Sequence, residues 1–187
     1  MRLFFALALP DDARTRLRPL LEAARQETGK AVGFSKAEQL HFTLAYLGDQ
    51  PESEVRAASE AATEAVQGLA PFELSLGGGG AFPGPQRPRV LWLGVRDGAA
   101  ELVTLAGRLA TALRERAFVL EERAFQPHLT LGRVRPHGER AAAAALAKMP
   151  TDEQARFPVR EIALVHSKLG PGGARHSVVN VFPLAAR

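Results

Sequence analysis

Two segments constrain this chain more than anything else in it. His41-Phe42-Thr43-Leu44 and His128-Leu129-Thr130-Leu131 repeat one pattern 87 residues apart, and their surroundings repeat too. Leu3 to Leu9 is a short apolar run of strand length, and Val90-Leu91-Trp92-Leu93-Gly94-Val95 is another. A helix is expected after each. The first spans about Asp11 to Glu27, capped by Asp11 or Asp12, with Leu17, Leu20, Leu21 and Ala24 at helical spacing. The second spans about Ala99 to Arg116 and carries Leu102, Leu105, Leu109 and Leu113. The two histidine strands follow, then helices over Glu52 to Gln67 and Glu139 to Met149. Extended runs come last, one at Phe72 to Leu76 and one at Phe157 to Ile162. The same offset of 87 carries Leu91 onto Phe4.

This repetition predicts a duplicated β-α-β-α-β unit. Two copies are too few for a solenoid, so the expected fold is a single bilobal α+β domain over residues 1–187, with repeat halves near 1–80 and 88–187. Gly77-Gly78-Gly79-Gly80-Ala81-Phe82-Pro83-Gly84-Pro85 reads as the hinge, because glycine and proline at that density disfavour regular structure. The four glycines lack the Lys-Ser/Thr and following helix of a Walker-type phosphate loop. Ala141 to Ala145 reads only as a small-residue helix face.

Composition narrows the chemistry. There is no cysteine, which excludes disulfides, thiolate zinc sites and cysteine nucleophiles. No apolar run approaches the roughly 20 residues of a membrane span. The Leu3–Leu9 run is too short for a secretory signal and meets Pro10-Asp11-Asp12 at once, so a cytoplasmic monomer is the expectation. The 24 basic against 20 acidic residues, net +4, permit a polyanionic partner without requiring one.

Strand side chains alternate, so His41 and Thr43 share one face, with Phe42, Leu44 and Tyr46 on the other. His128 and Thr130 share a face likewise, opposite Leu129 and Leu131. Burying imidazole and hydroxyl without partners costs a few kcal/mol, so each pair should face a polar cleft. A pseudo-two-fold axis would bring both pairs to one point. Two imidazoles and two hydroxyls suit phosphoryl chemistry: one neutral ring takes a proton from attacking water, and the other, as imidazolium, protonates the leaving alkoxide. The threonines can hold phosphate oxygens in line. A structural histidine pair and a duplication relic without activity are the alternatives. A metal site is another, although each strand offers only one histidine and no nearby carboxylate.

The paired segments resemble the HxTx motifs of the two-histidine (2H) phosphoesterase superfamily. Within it the chain is similar to the RNA 2′,3′-cyclic phosphodiesterases, also called LigT-like or ThpR proteins. Arg2-Leu3-Phe4-Phe5-Ala6-Leu7, the His41-to-Gly48 run, Pro71-Phe72-Glu73-Leu74, Arg89-Val90-Leu91-Trp92-Leu93-Gly94, Phe125-Gln126-Pro127-His128 and Gly170-Pro171-Gly172-Gly173-Ala174-Arg175 all carry the resemblance. It implies two α+β lobes, with mainly antiparallel sheets facing a central cleft and helices outside. It implies an enzyme without metal or other cofactor that hydrolyses RNA 2′,3′-cyclic phosphate ends, tRNA fragments among them, to 2′-phosphates. In some members it also implies ATP-independent 2′-5′ RNA ligation. By position, His41 would be the proton donor and His128 the proton acceptor, with Thr43 and Thr130 binding phosphate.

Arg133 matches an arginine often found there in the family and could contact substrate phosphate, but strict alternation sends it to the face opposite His128, so it needs a bulge or the strand's end to reach the cleft. Phe5 suits the core better than a nucleobase stack. His176 stands where the family usually has tyrosine, and Phe34 where it has tryptophan. His137 reads as exposed and His166 as structural. Arg87, Arg89, Arg133, Arg135, Lys168 and Arg175 can line the cleft or simply face solvent. Two other functions compete: hydrolysis of small cyclic nucleotides such as nucleoside 2′,3′-cyclic phosphates, and a non-catalytic RNA-binding module.

Overall fold

The computed structural model describes residues 1–170 and 173–185. The first half contributes β1 (Arg2–Ala8), α1 (Asp11–Thr28), β2 (Val32–Phe34), β3 (His41–Asp49), α2 (Glu54–Val66) and β4 (Phe72–Phe82). The second contributes β5 (Val90–Asp97), α3 (Ala99–Glu115), β6 (His128–Val134), α4 (Glu139–Ala147), β7 (Glu153–Val159), β8 (Glu161–Gly170) and β9 (Gly173–Pro183). The predicted helices form because their apolar stripes are the buried ones: Leu17, Leu20, Leu21 and Ala24 in α1, and Leu102, Leu105, Leu109 and Leu113 in α3. Pro10, not an aspartate, occupies the N-cap of α1. Asp11 and Asp12 lie inside its first turn, where the helix dipole favours acids.

The strands form two antiparallel sheets, one of order β3-β1-β8-β9 and one of order β2-β6-β5-β4-β7. The fold is therefore α+β with two sheets, but the repeat halves are not the lobes. β8 of the second half pairs with β1, while β2 and β4 of the first half pair with β6 and β5. The helices are exchanged as well: α1 packs with α4 and against β7, and α2 packs with α3 and against β9. One contiguous apolar core runs from Leu3 and Phe5 on β1 through Leu91 and Leu93 on β5 to Leu164 on β8.

The glycine-rich segment is not a hinge. Gly77–Phe82 lies within β4, with Gly77 paired to β7 and Gly79–Phe82 paired to β5. A Cβ on Gly80 would lie 2.1 Å from Cη2 of Trp92, so glycine serves the close approach of the indole to the strand. The extended run from Phe157 is divided at Arg160 into β7 and β8, which join different sheets. Among the described residues no helix is long and apolar enough to cross a membrane.

Candidate active site

The two histidines open equivalent strands, His41 at the start of β3 and His128 at the start of β6. These two strands are where one sheet lies against the other. Their pairing is alike: Ala8 stands opposite His41 and Gly94 opposite His128, both small residues. The separation of Ala8 and Gly94 is 86 residues, so the first strands of the two halves match at 86 and not 87. At 87, Phe4 of the cleft face would be matched to Leu91 of the core.

Both histidine strands carry a bulge at the same place. In β3 the register shifts at Leu44, between Thr43 opposite Ala6 and Ala45 opposite Phe5, and again at Leu47, between Tyr46 opposite Phe4 and Gly48 opposite Leu3. In β6 it shifts at Leu131, between Thr130 opposite Trp92 and Gly132 opposite Leu91. The extra residue reverses the alternation beyond it. Arg133 accordingly pairs with Val90, on the face of β5 that carries Trp92 and Gly94, and so returns to the side of His128 and Thr130. Tyr46 is turned outward in the same way beside Phe4 and is exposed, contrary to its expected place with Phe42 and Leu44.

Each imidazole is anchored identically. Nδ1 of His41 lies 2.7 Å from the carbonyl oxygen of Gln39, and Nδ1 of His128 lies 2.7 Å from that of Gln126. A carbonyl can only accept, so each Nδ1 carries its proton and donates. Nε2 is left as the working nitrogen of each ring, with no hydrogen-bond partner among the described residues. The matching Gln-x-His spacing was present in both halves of the sequence, but the contact is made by a backbone atom, which side-chain patterns do not show.

The two rings differ in what surrounds them. His41 packs against Phe4, ring centroids 5.1 Å apart, and edge-on against His176 at 5.3 Å. His128 packs edge-on against Phe82 at 4.8 Å and lies 6.3 Å from Trp92. Burial lowers the pKa of His41; the Gln39 bond opposes this, and the charge of a protonated His176 adds to it. Burial also lowers that of His176. Phe5 is wholly buried against Phe182, so Phe4 is the phenylalanine of β1 on the face of His41. Phe34 packs on the edge of the core from β2, His137 is exposed, and His166 is half-buried on β8. In the Gly170–Arg175 turn, Pro171 and Gly172 lie outside the described residues.

The six basic residues separate into two groups. Arg87 and Arg89 lie in the β4–β5 turn, where the Arg89 carbonyl accepts from Val134 N–H at 2.9 Å, which brings them beside Arg133 and Arg135 at the end of β6. Lys168 and Arg175 pair across the β8–β9 hairpin. Among the described residues none of the six is ion-paired. No group of three His, Asp or Glu residues is arranged to hold a metal ion among the described residues.

The family model described as the 2'-5' RNA ligase superfamily matches residues 9–171. A protein of Archaeoglobus fulgidus named RNA 2',3'-cyclic phosphodiesterase is 34% identical over 183 residues, covering 97% of this chain and 99% of that protein. The crystal structure of a Thermus thermophilus protein superposes with a TM-score of 0.83 at 29% identity, covering 100% of this chain and 99% of the other. Escherichia coli LigT complexed with 3'-AMP superposes with a TM-score of 0.79 at 29% identity, covering 98% and 97%. The chain belongs to the 2'-5' RNA ligase superfamily, that of the two-histidine phosphoesterases.

Proposed function

We propose that this protein hydrolyses 2′,3′-cyclic phosphate ends of RNA to 2′-phosphomonoesters with two histidines as acid and base. The observation that carries the reading is the identical anchoring of His41 and His128, which leaves Nε2 of each ring without a hydrogen-bond partner among the described residues and available for proton transfer. Water attacks phosphorus and gives its proton to Nε2 of neutral His128. The P–O3′ bond breaks, and Nε2–H of the His41 imidazolium protonates the departing O3′. Nδ1–H of each ring stays bonded to its carbonyl throughout, which stabilises the charged form. Thr43 and Thr130 donate to the non-bridging phosphate oxygens, and Arg133, turned to the same face by the bulge at Leu131, adds positive charge. The assignment of donor to His41 and acceptor to His128 follows the resemblance of the motifs. In the free protein burial lowers the pKa of His41; the bound phosphate anion favours its charged form. RNA as substrate is supported by the names of the relatives and by the arginines at the end of β6.

The test is turnover in excess EDTA by wild type, His41→Ala and His128→Ala, on an RNA and on a nucleoside sharing the 2′,3′-cyclic phosphate end. Wild type should yield the 2′-phosphate, and each variant should lose about 10²–10⁴-fold. A higher kcat/KM on the nucleoside would favour the small-substrate reading. Activity abolished by EDTA would overturn the mechanism.

A further inference from the structure

Two histidines, not one, meet in the first half of the site. The β8–β9 hairpin curls back over its own sheet, and Gln39 Nε2 donates to the Ala174 carbonyl at 3.0 Å, tying the hairpin to the turn that anchors His41. His176, two residues along β9, is thereby delivered onto the His41 ring. Its centroid is 5.3 Å from that of His41 at an interplanar angle of 80°, and 5.1 Å from that of Phe4. Phe4 touches both rings, so the three form a closed triangle of contacts. Among the described residues nothing comparable is built on His128, whose neighbours Phe82 and Trp92 cannot take a proton under physiological conditions.

We propose that His176 is a positioning residue for His41: with Phe4 it fixes the plane of the His41 ring about the Nδ1 anchor, and as a second imidazole it opposes proton uptake by His41 until an anion enters the cleft. The proposal rests on the reading of His41 as a proton-transfer group. A ring held only at Nδ1 can still swing about that bond, and an edge-on neighbour removes this freedom. Two imidazolium rings in contact repel, so a proton on one ring opposes a second on the other unless a phosphate compensates. The other charged or titratable groups on this face, by strand alternation, are Arg2 on β1, Tyr46 and Asp49 on β3, and Glu161 on β8. Arg2 and Asp49 neutralise each other at 3.2 Å. Lys168 and Arg175 flank His176 in sequence and register but point by alternation to the other side of the hairpin. Among the described residues, Phe4 and His176 are the rings in contact with His41.

The experiment is ring-resolved NMR titration of the histidines in wild type, His176→Phe and His176→Ala, with sulfate as a non-titrating anion probe, beside steady-state kinetics on a nucleoside 2′,3′-cyclic phosphate. In wild type, the His41 and His176 rings should each show two-step curves reporting the other's midpoint, and sulfate should raise the His41 midpoint. His176→Phe keeps the ring contact and removes the charge, so His41 should titrate at higher pH than in wild type. His176→Ala removes both; kcat should fall about tenfold or more with KM nearly unchanged, and Phe should recover part of that loss. Single-step titration of His41 in wild type, or an unmoved midpoint in His176→Phe, would overturn the coupling. Wild-type kinetics in His176→Ala would overturn the positioning. Coupled titration in a protein that turns over no cyclic phosphate would leave the coupling standing and remove the proposed function, and the positioning role with it.

Discussion

An imidazole whose Nδ1–H is held by a carbonyl has one free nitrogen, and the surroundings of the ring decide whether that nitrogen is protonated. His41 is the ring withdrawn from water and faced by a second imidazole, and both effects lower its pKa. It therefore titrates below the ordinary value of about 6.5. A proton donor must be charged, so kcat/KM, which reports the free enzyme, is lost as pH rises through the His41 midpoint. The alkaline limb of its pH profile is expected below about 6.5. In the complex the phosphate anion stabilises the imidazolium, and the alkaline limb of kcat should lie at higher pH. Profiles on a nucleoside 2′,3′-cyclic phosphate check this; coincident limbs would show that the anion does not recharge His41. The histidines and threonines were legible because their side chains carry the pattern. The carbonyls of Gln39 and Gln126 were not, because any residue can supply a carbonyl. His176 was visible only as a departure from a family position; its contact with His41 depends on the curl of the hairpin.

Strands were legible where alternation held and misread where it broke. Phe42, Leu44, Leu129 and Leu131 are buried as period two requires. Beyond each histidine motif a bulge inserts one residue, and Tyr46 and Arg133 change faces together. No residue in either segment announces a bulge, since both fall on ordinary leucines. The glycine run of β4 was misread for a different reason. Glycine density signals either flexibility or close packing, and here the indole of Trp92 lies over Gly80. Gly80→Ala should force the ring away, because the new Cβ would sit 2.1 Å from Cη2 and 2.2 Å from Cζ2. Overpacking of this kind costs about 1–3 kcal/mol. Since Trp92 also neighbours His128 at 6.3 Å, kcat should fall with stability. Trp92 is the only tryptophan, so its fluorescence reports the displacement directly. An unchanged melting temperature and emission spectrum would refute the close-packing account.

Duplication was legible across the whole chain, because both halves repeat strand, helix, histidine strand and helix in order. The exchange between halves was not. Hydrophobic periodicity says which face of a strand is buried and is silent on which sheet receives it, so β4 and β8 were naturally assigned to the halves that encode them. In the fold each sheet takes strands from both halves, each helix pair takes one member from each, and a single core joins them. That interleaving has a thermodynamic consequence. Two lobes joined by a glycine hinge could unfold in two steps, whereas removing either half here takes strands out of both sheets. The molecule carries one natural reporter in each sheet: Tyr46, its only tyrosine, on β3, and Trp92 on β5. Denaturant unfolding followed by Tyr46 absorbance and by Trp92 fluorescence should give superimposable curves with one midpoint, the behaviour of a two-state domain. Midpoints that separate beyond error would mean that the two sheets melt independently, and the contiguous core would then be too weak to couple them. Coincident curves would also make the histidine pair a property of the whole fold, because neither His41 nor His128 would keep its place after partial unfolding.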